Sequence, residues 1–141
     1  MSTKTLRTLV RLNEWEVDER RRRLGELMRL VESLEHQIEV LKQELAREQQ
    51  AASASPEVAG FLFGSYVLTV IARRNWIEQS VAKAQEEVDA AREELREAFL
   101  QLKKFEQLKD KHEDGEQTML DRLERLRLDE VALQTYRLKN R

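Results

Sequence analysis

A heptad repeat of apolar residues runs through the first third of the chain, and it limits what this chain can fold into. Position a of the repeat is mainly β-branched, and position d is mainly leucine. The a positions are Val10, Val17, Leu24, Val31, Ile38 and Leu45, and the d positions are Leu6, Asn13, Arg20, Leu27, Leu34 and Leu41. Alternating steps of three and four residues place them on one stripe that faces a second helix. The repeat therefore predicts one long helix over about residues 3–50.

A second stripe follows the only proline of the chain, Pro56. Proline suits the first position of a helix, and Ser55 before it suits the N-cap, so the sequence predicts a turn at about 51–56 and a helix over about 57–141. The second stripe consists of Phe63, Val67, Val70, Arg74, Ile77, Val81, Ala84, Val88, Ala91, Leu95, Ala98, Leu102 and Phe105. Its alanines recur every seven residues, and such small side chains allow two helix backbones to approach closely.

The two stripes predict a chain that folds back on itself. A turn near Ala54 would pair residues whose numbers add up to about 107, so that Thr3 would face Lys104. The second stripe becomes polar close to that point, at Lys109, His112 and Glu116. We therefore predict an all-α fold: a long two-helix antiparallel coiled-coil hairpin, one domain over residues 1–141, with an extended C-terminal helix that could kink near Gly115.

Composition argues against catalysis and against several classes of ligand. The chain has no cysteine, and His36 and His112 lack the spacing of paired metal ligands. No phosphate-binding loop is present. We therefore predict no enzyme activity and no catalytic, cofactor-binding or metal-binding residues. The basic run 20–23 points around the whole helix beside acidic residues, which argues against nucleic acid, and the apolar run 61–72 is too short for membrane insertion.

Aromatic residues, and apolar residues without a partner in the hairpin, are the candidates for partner binding. Phe61, Phe63 and Tyr66 cluster near the predicted turn, where they could form a partner surface or cap the turn. For Trp15 and Trp76, which lie outside the stripes, we slightly favour packing along the flank of the stripe over a role as anchors for a partner. The segment after Gly115 has no partner within the hairpin, so it could associate with another copy or with a groove on another protein. Its apolar residues are Met119, Leu120, Leu123, Leu126, Leu128, Val131, Leu133 and Tyr136.

Several stretches resemble the flagellar export protein FliJ family across essentially the whole chain. The clearest is the stretch 5–19, TLRTLVRLNEWEVDE, continued by LGEL at 24–27. The aromatic start of the second helix, through Tyr66, and the stretch KKFEQ at 103–107 are also similar. The resemblance implies a small cytoplasmic component of the flagellar type III export apparatus, peripheral to the inner membrane at the basal body. Members of this family resemble the central stalk of rotary ATPases and support flagellar assembly and motility.

The resemblance also implies two protein partners and their sites. The two chain ends of family members sit in the pore of the export ATPase hexamer, and the opposite part touches the cytoplasmic domain of the export gate membrane protein. Some members also handle export chaperones. By position, the gate-binding residues fall on Gln37, Leu41, Tyr66 and Val70. Two further aromatic positions of that family surface match Glu44 and Glu48 here.

At the ATPase end, the sequence offers more apolar positions than one stripe needs. We therefore expect the ATPase-binding residues to be Leu6, Leu9, Met119, Leu123 and Leu126. Two other interpretations of the sequence stay open. The chain could be an export chaperone that binds substrates through its C-terminal segment, or a general coiled-coil adaptor or dimeric scaffold, since parallel dimers also favour β-branched a and leucine d positions.

Overall fold

The computed structural model describes residues 1–54 and 56–140, with side-chain environments given outside 56–59. Helix α1 spans Thr3–Ala54 and helix α2 spans Pro56–Lys139, and the described residues contain no strand. The predicted all-α fold, a hairpin of two long helices, is confirmed. No described helix contains a segment with the length and apolarity needed to cross a bilayer.

The helix ends differ from the predicted ones by a few residues. Helix α1 continues to Ala54, so most of the predicted turn at 51–56 is helical. Alanine is the strongest helix former, and the hydroxyl of Ser53 donates a hydrogen bond of 2.9 Å to the carbonyl of Gln49 within the helix. Pro56 is the first residue of α2, and the helix continues through Gly115 without interruption. The N-cap role predicted for Ser55 lies outside the described residues.

The chain divides into two compact units, which we call the turn unit and the terminal unit. The turn unit is Asp18–Arg96, and it contains the end of α1 and the start of α2. Its core consists of the buried stripe residues Leu27, Val31, Leu34, Leu41, Ile77, Ala84, Val88 and Ala91. Arg20 and Glu94 form an ion pair of 3.3 Å across the two helices. Alternating valine and alanine positions on α2 therefore pack against the larger side chains of α1.

The terminal unit comprises Met1–Val17 and Glu97–Arg141. Its buried apolar residues are Leu6, Val10, Val17 and Ala98. Two polar contacts join the helices near the start of α1. Thr3 Oγ1 lies 2.8 Å from His112 Nδ1, and Arg7 Nε lies 3.2 Å from Glu113 Oε1. All residues from 114 to 140 are exposed.

The pairing of the two helices is shifted from the predicted register. Thr3 meets His112 rather than the region of Lys104, which is about two helical turns further along α2. The sequence reasoning took the polar positions of the second stripe as the point where α1 ends. The structure shows that a stripe can remain paired through polar positions, because His112 and Glu113 find partners in Thr3 and Arg7.

Candidate partner-binding surfaces

The four residues expected to bind the export gate lie in the turn unit but are not equally accessible. Leu41 and Val70 are each only 6% exposed, so their side chains are covered by the hairpin itself. Gln37 is exposed and Tyr66 is half-buried. Leu41 and Val70 therefore stabilise the hairpin, whereas Gln37 and Tyr66 are accessible to another protein.

Two hollows open between α1 and α2 beside these residues. The first has a volume of about 190 Å³, and its walls are Gln37, Val40, Leu41, Glu44, Arg73 and Ile77. The second has a volume of about 350 Å³, and its walls are Glu48, Ala51, Ala52, Leu62, Phe63 and Tyr66. The stripe residues Leu41 and Ile77 line the first hollow, Phe63 lines the second, and each hollow has a glutamate in its wall.

The two hollows are successive parts of one groove. Gln37, Glu44 and Ala51 are seven residues apart on α1, and Tyr66 and Arg73 are seven residues apart on α2. Residues with this spacing share one edge of a coiled-coil helix. In an antiparallel pair, both of these edges border the same side of the stripe. We call this side of the turn unit the acidic groove.

The acidic groove has one more acidic than basic side chain in its walls, since Glu44 and Glu48 line it and Arg73 lines the first hollow beside Glu44. Within the described part of the chain, neither Glu44 nor Glu48 takes part in an ion pair. Leu62 is 63% exposed at its rim, and Tyr66 adds an aromatic surface with a polar hydroxyl. Interface anchors are often aromatic side chains set in apolar pockets, with charges around them. The groove therefore suits a protein segment that carries an apolar anchor next to a lysine or arginine.

The residues expected to bind the ATPase also fall into two groups. Leu6 is 3% exposed and belongs to the buried stripe of the terminal unit, so it cannot be a contact without unpacking α1. Leu9 is half-buried. Met119, Leu123 and Leu126 are 66%, 56% and 59% exposed, and no part of the described chain covers them.

These exposed residues continue the stripe of α2 beyond the end of α1. Alternating steps of four and three lead from Phe105 through 109, 112 and 116 to Met119, Leu123 and Leu126. The heptad phase is therefore preserved through Gly115, and the face that binds α1 runs on without a partner. We call the exposed set Met119, Leu123, Leu126 and Leu133 the tail face. A helix could occupy it in the position that α1 holds further back.

The tryptophans do not lie where the sequence analysis expected them. Trp15 is 57% exposed and Trp76 is 65% exposed, so packing along the flank of the stripe was the wrong expectation. Phe61 is 83% exposed, whereas Phe63 lines the second hollow. Both tryptophans occupy outward heptad positions, which the heptad pattern already placed outside the two stripes.

The sequence analysis also missed residues that shape the groove. Arg73 and Leu62 line its two hollows, and neither was expected to take part in binding. The seven-residue spacing of Tyr66 and Arg73 is the signal that could have found Arg73. No group of three or more histidine, cysteine or acidic side chains that could hold a metal ion occurs among the residues that the structure describes.

Comparison with known proteins adds one finding. The family model described as flagellar FliJ protein matches residues 2–141, which is essentially the whole chain. Neither the curated proteins nor the solved structures include a significant match.

Proposed function

From the fact that the chain belongs to the FliJ family, and is thus a component of the flagellar export apparatus, we propose that it acts as a non-catalytic stalk. The terminal unit binds the export ATPase hexamer, and the turn unit binds the cytoplasmic domain of the export gate membrane protein. The chain works in the cytoplasm beside the membrane that holds the gate.

One observation supports this proposal: each compact unit has its own accessible apolar surface. The acidic groove belongs to the turn unit, and the tail face belongs to the terminal unit. A protein that couples two machines needs two such surfaces on one chain. An enclosed pocket for a substrate is not needed, since the chemistry of ATP hydrolysis belongs to the partner.

The tail face suits an ATPase ring because of its exposure and its phase. Met119, Leu123 and Leu126 form an apolar row in line with the hairpin stripe. A helix with such a row can enter the central opening of a ring and bind one arrangement of its subunits better than the others. A ligand shifts an equilibrium between arrangements only through such a difference in affinity.

The acidic groove supports gate binding through its accessible residues. Gln37 and Tyr66 take the contact that the family resemblance also assigned to Leu41 and Val70, and these two buried residues hold the helices that shape the groove. At the positions of two aromatic residues in the family, Glu44 and Glu48 offer charge. The gate surface that binds here should therefore be more basic than an aromatic contact requires.

Separate variants of the two surfaces test the proposal. Tyr66→Ala should weaken binding of the gate's cytoplasmic domain by about 1–2 kcal/mol, which is typical of an interface anchor, and should leave stimulation of the ATPase unchanged. Leu123→Asp combined with Leu126→Asp should abolish the stimulation and leave gate binding unchanged. Calorimetry and a phosphate-release assay measure the two effects. If both variants behave like the wild type in both assays, neither surface is a contact and the proposal fails.

A further inference from the structure

The tail face continues the interface between the two helices past the point where α1 begins. Thr3, at the start of α1, lies 2.8 Å from His112, and α2 runs on to Lys139 with the residues from 114 onward exposed. Most of the stability of a protein helix comes from the packing of an apolar face, and no described part of the chain covers this one. Because the heptad phase is the same as in the hairpin, the tail face suits a helix that packs as α1 does.

The hairpin itself shows how two antiparallel helices of this chain pair. Facing stripe residues have numbers that add up to 115, as for Thr3 and His112. On one flank of the stripe, the facing residues are displaced by two, as for Glu44 and Arg73, which line the same hollow. These flank residues lie one position before every second stripe residue, where charged side chains pair across a coiled coil. The same rule can be applied to the tail face.

We infer that the tail face binds the tail face of a second copy of this chain, in antiparallel orientation, with Leu123 of each copy facing Leu126 of the other. The pairing rule of the hairpin then sets Arg122 on the flank of one copy against Asp129 of the other, and symmetry repeats this pair. Within the described part of the chain, neither Arg122 nor Asp129 takes part in an ion pair. The flanks of two tails are therefore complementary in charge at the centre of the interface.

The same register sets Tyr136 of one copy against Gly115 of the other on that flank. Gly115 lies within α2, where glycine is less favourable than any residue except proline. A Cβ at Gly115 would meet nothing within 4 Å, so the packing of its own chain does not require glycine there. The hairpin contains the same combination at its own flank, where Tyr66 and Ala51 line the second hollow together. A large ring thus lies over a small residue in both places.

The position of α1 and the charges argue against other antiparallel registers. Shifting the second copy one heptad toward the hairpin would place its residues 130–139 on the stripe that α1 already occupies up to His112. In the inferred register, only its last three helical residues reach the start of α1. Shifting the second copy one heptad the other way would set Asp129 against Asp129 on the flank.

A parallel pair of tails is less favourable than the antiparallel pair. It would set Glu130 against Glu130 in the stripe and Arg122 against Arg127 on both flanks. In the antiparallel pair, Glu130 faces Met119 instead, and its carboxylate can reach water at the edge of the coil. The one like-charged flank pair is then Arg127 with Arg127. We therefore expect a weak, reversible dimer.

Sedimentation equilibrium of the full chain and of charge variants tests this inference. The wild type should dimerise as its concentration rises, and Arg122→Asp or Asp129→Arg alone should weaken the dimer about tenfold, because two exposed pairs change from attraction to repulsion. An equal mixture of these two variants should dimerise at least as well as the wild type, since unlike charges face each other again. Arg125→Asp is the matched control, because Arg125 is exposed outside the stripe and its flanks, and it should dimerise like the wild type. Circular dichroism should show equal helicity for all variants.

Cysteine cross-linking tests the orientation of the two copies. The chain has no cysteine of its own, so single variants report only the introduced thiols. In a mixture of Glu116→Cys and Leu133→Cys chains, the mixed disulfide should form several-fold faster than either symmetric one, because equivalent positions lie roughly 25 Å apart along an antiparallel pair. Predominant symmetric disulfides would overturn the antiparallel pairing.

Three results would overturn the dimer itself. The first is a monomer at all concentrations, and stimulation of the export ATPase by such a monomer would assign the tail face to the ATPase alone. The second is a dimer that persists when residues 119–141 are removed, which would assign association to another surface. The third is an equal effect of Arg122→Asp and Arg125→Asp on dimerisation.

The dimer has one consequence that rests on the proposed function. It covers Leu123 and Leu126, which the proposed function assigns to the ATPase contact, so dimerisation and ATPase binding should exclude each other. The disulfide-linked dimer of Glu116→Cys and Leu133→Cys chains should therefore fail to stimulate the export ATPase and should recover stimulation on reduction. Full stimulation by the linked dimer would overturn this exclusion but not the dimer, whereas no stimulation by the reduced wild type would overturn the proposed function.

Discussion

A single charge in the stripe of the turn unit should unfold the hairpin, and neighbouring alanines allow a matched test. Ala91 is 3% exposed within the core cluster, whereas Ala90 is exposed on the same helix. Ala91→Glu places a longer, charged side chain where only a methyl group fits between the two helices. No basic side chain belongs to the core cluster that would surround it.

The size of the effect follows from the burial. An unpaired buried charge costs about 3–5 kcal/mol, which is a large part of the 5–15 kcal/mol that stabilises an ordinary domain. For a chain of this length, each kcal/mol lowers the melting temperature by about 3 °C, so Ala91→Glu should lower it by about 10–15 °C. Ala90→Glu should shift it by no more than about 2 °C, because surface substitutions usually change stability by at most ~0.5 kcal/mol.

Thermal melting followed by circular dichroism at 222 nm measures both variants. The helix propensities of the two proteins are matched, since both replace alanine by glutamate two or more turns from any helix end. Equal melting temperatures for the two variants would refute the reasoning. That result would mean that α1 does not cover Ala91, and the register deduced from the core would have to be abandoned.

Three further predictions follow from the same geometry. Replacing both Glu44 and Glu48 by glutamine should weaken gate binding about three- to tenfold at low salt and reduce its salt dependence, because exposed ion pairs contribute about 0.2–1 kcal/mol each. Calorimetry at two salt concentrations measures this effect, and an unchanged salt dependence would contradict binding of a basic partner at the acidic groove. Removing residues 119–141 should leave the melting temperature of the hairpin within about 3 °C of the wild type, since that segment is exposed throughout; a large drop would show that it stabilises the core. Spin labels at Arg23 and Glu94 should lie within about 20 Å of each other, because the axes of packed helices are about 8–10 Å apart. If this distance is longer than the distance between labels at Arg23 and Ala84, the register predicted from the sequence is the correct one.

The heptad pattern predicted the helices well because it depends on local geometry. Apolar residues at steps of three and four can form a continuous buried row only on a helix, and Pro56 marks the start of α2 without any tertiary information. The register was less predictable, because it depends on which residues of two separate helices meet. The pairing of Thr3 with His112 is a polar contact that no apolar pattern announces.

Accessibility was the weakest part of the sequence-based prediction of sites. Leu6, Leu41 and Val70 were chosen as contacts, yet each occupies a stripe position and is buried by the partner helix. Tail residues such as Leu123 are exposed as expected, because no other helix among the described residues covers them. The walls of a groove between helices depend on the register, so the sequence could not show which residues of α1 share a hollow with Arg73 or Leu62.

A bridging measurement tests the central claim, which is that one chain binds the export ATPase and the export gate at the same time. The gate's cytoplasmic domain is immobilised, and capture of the ATPase hexamer is measured with and without this protein. We expect capture only when the full chain is present, with a weakened gate step for Tyr66→Ala and loss of the ATPase step when residues 119–141 are removed. If the protein binds each partner alone but either one displaces the other, it cannot link them, and the proposed stalk function is wrong.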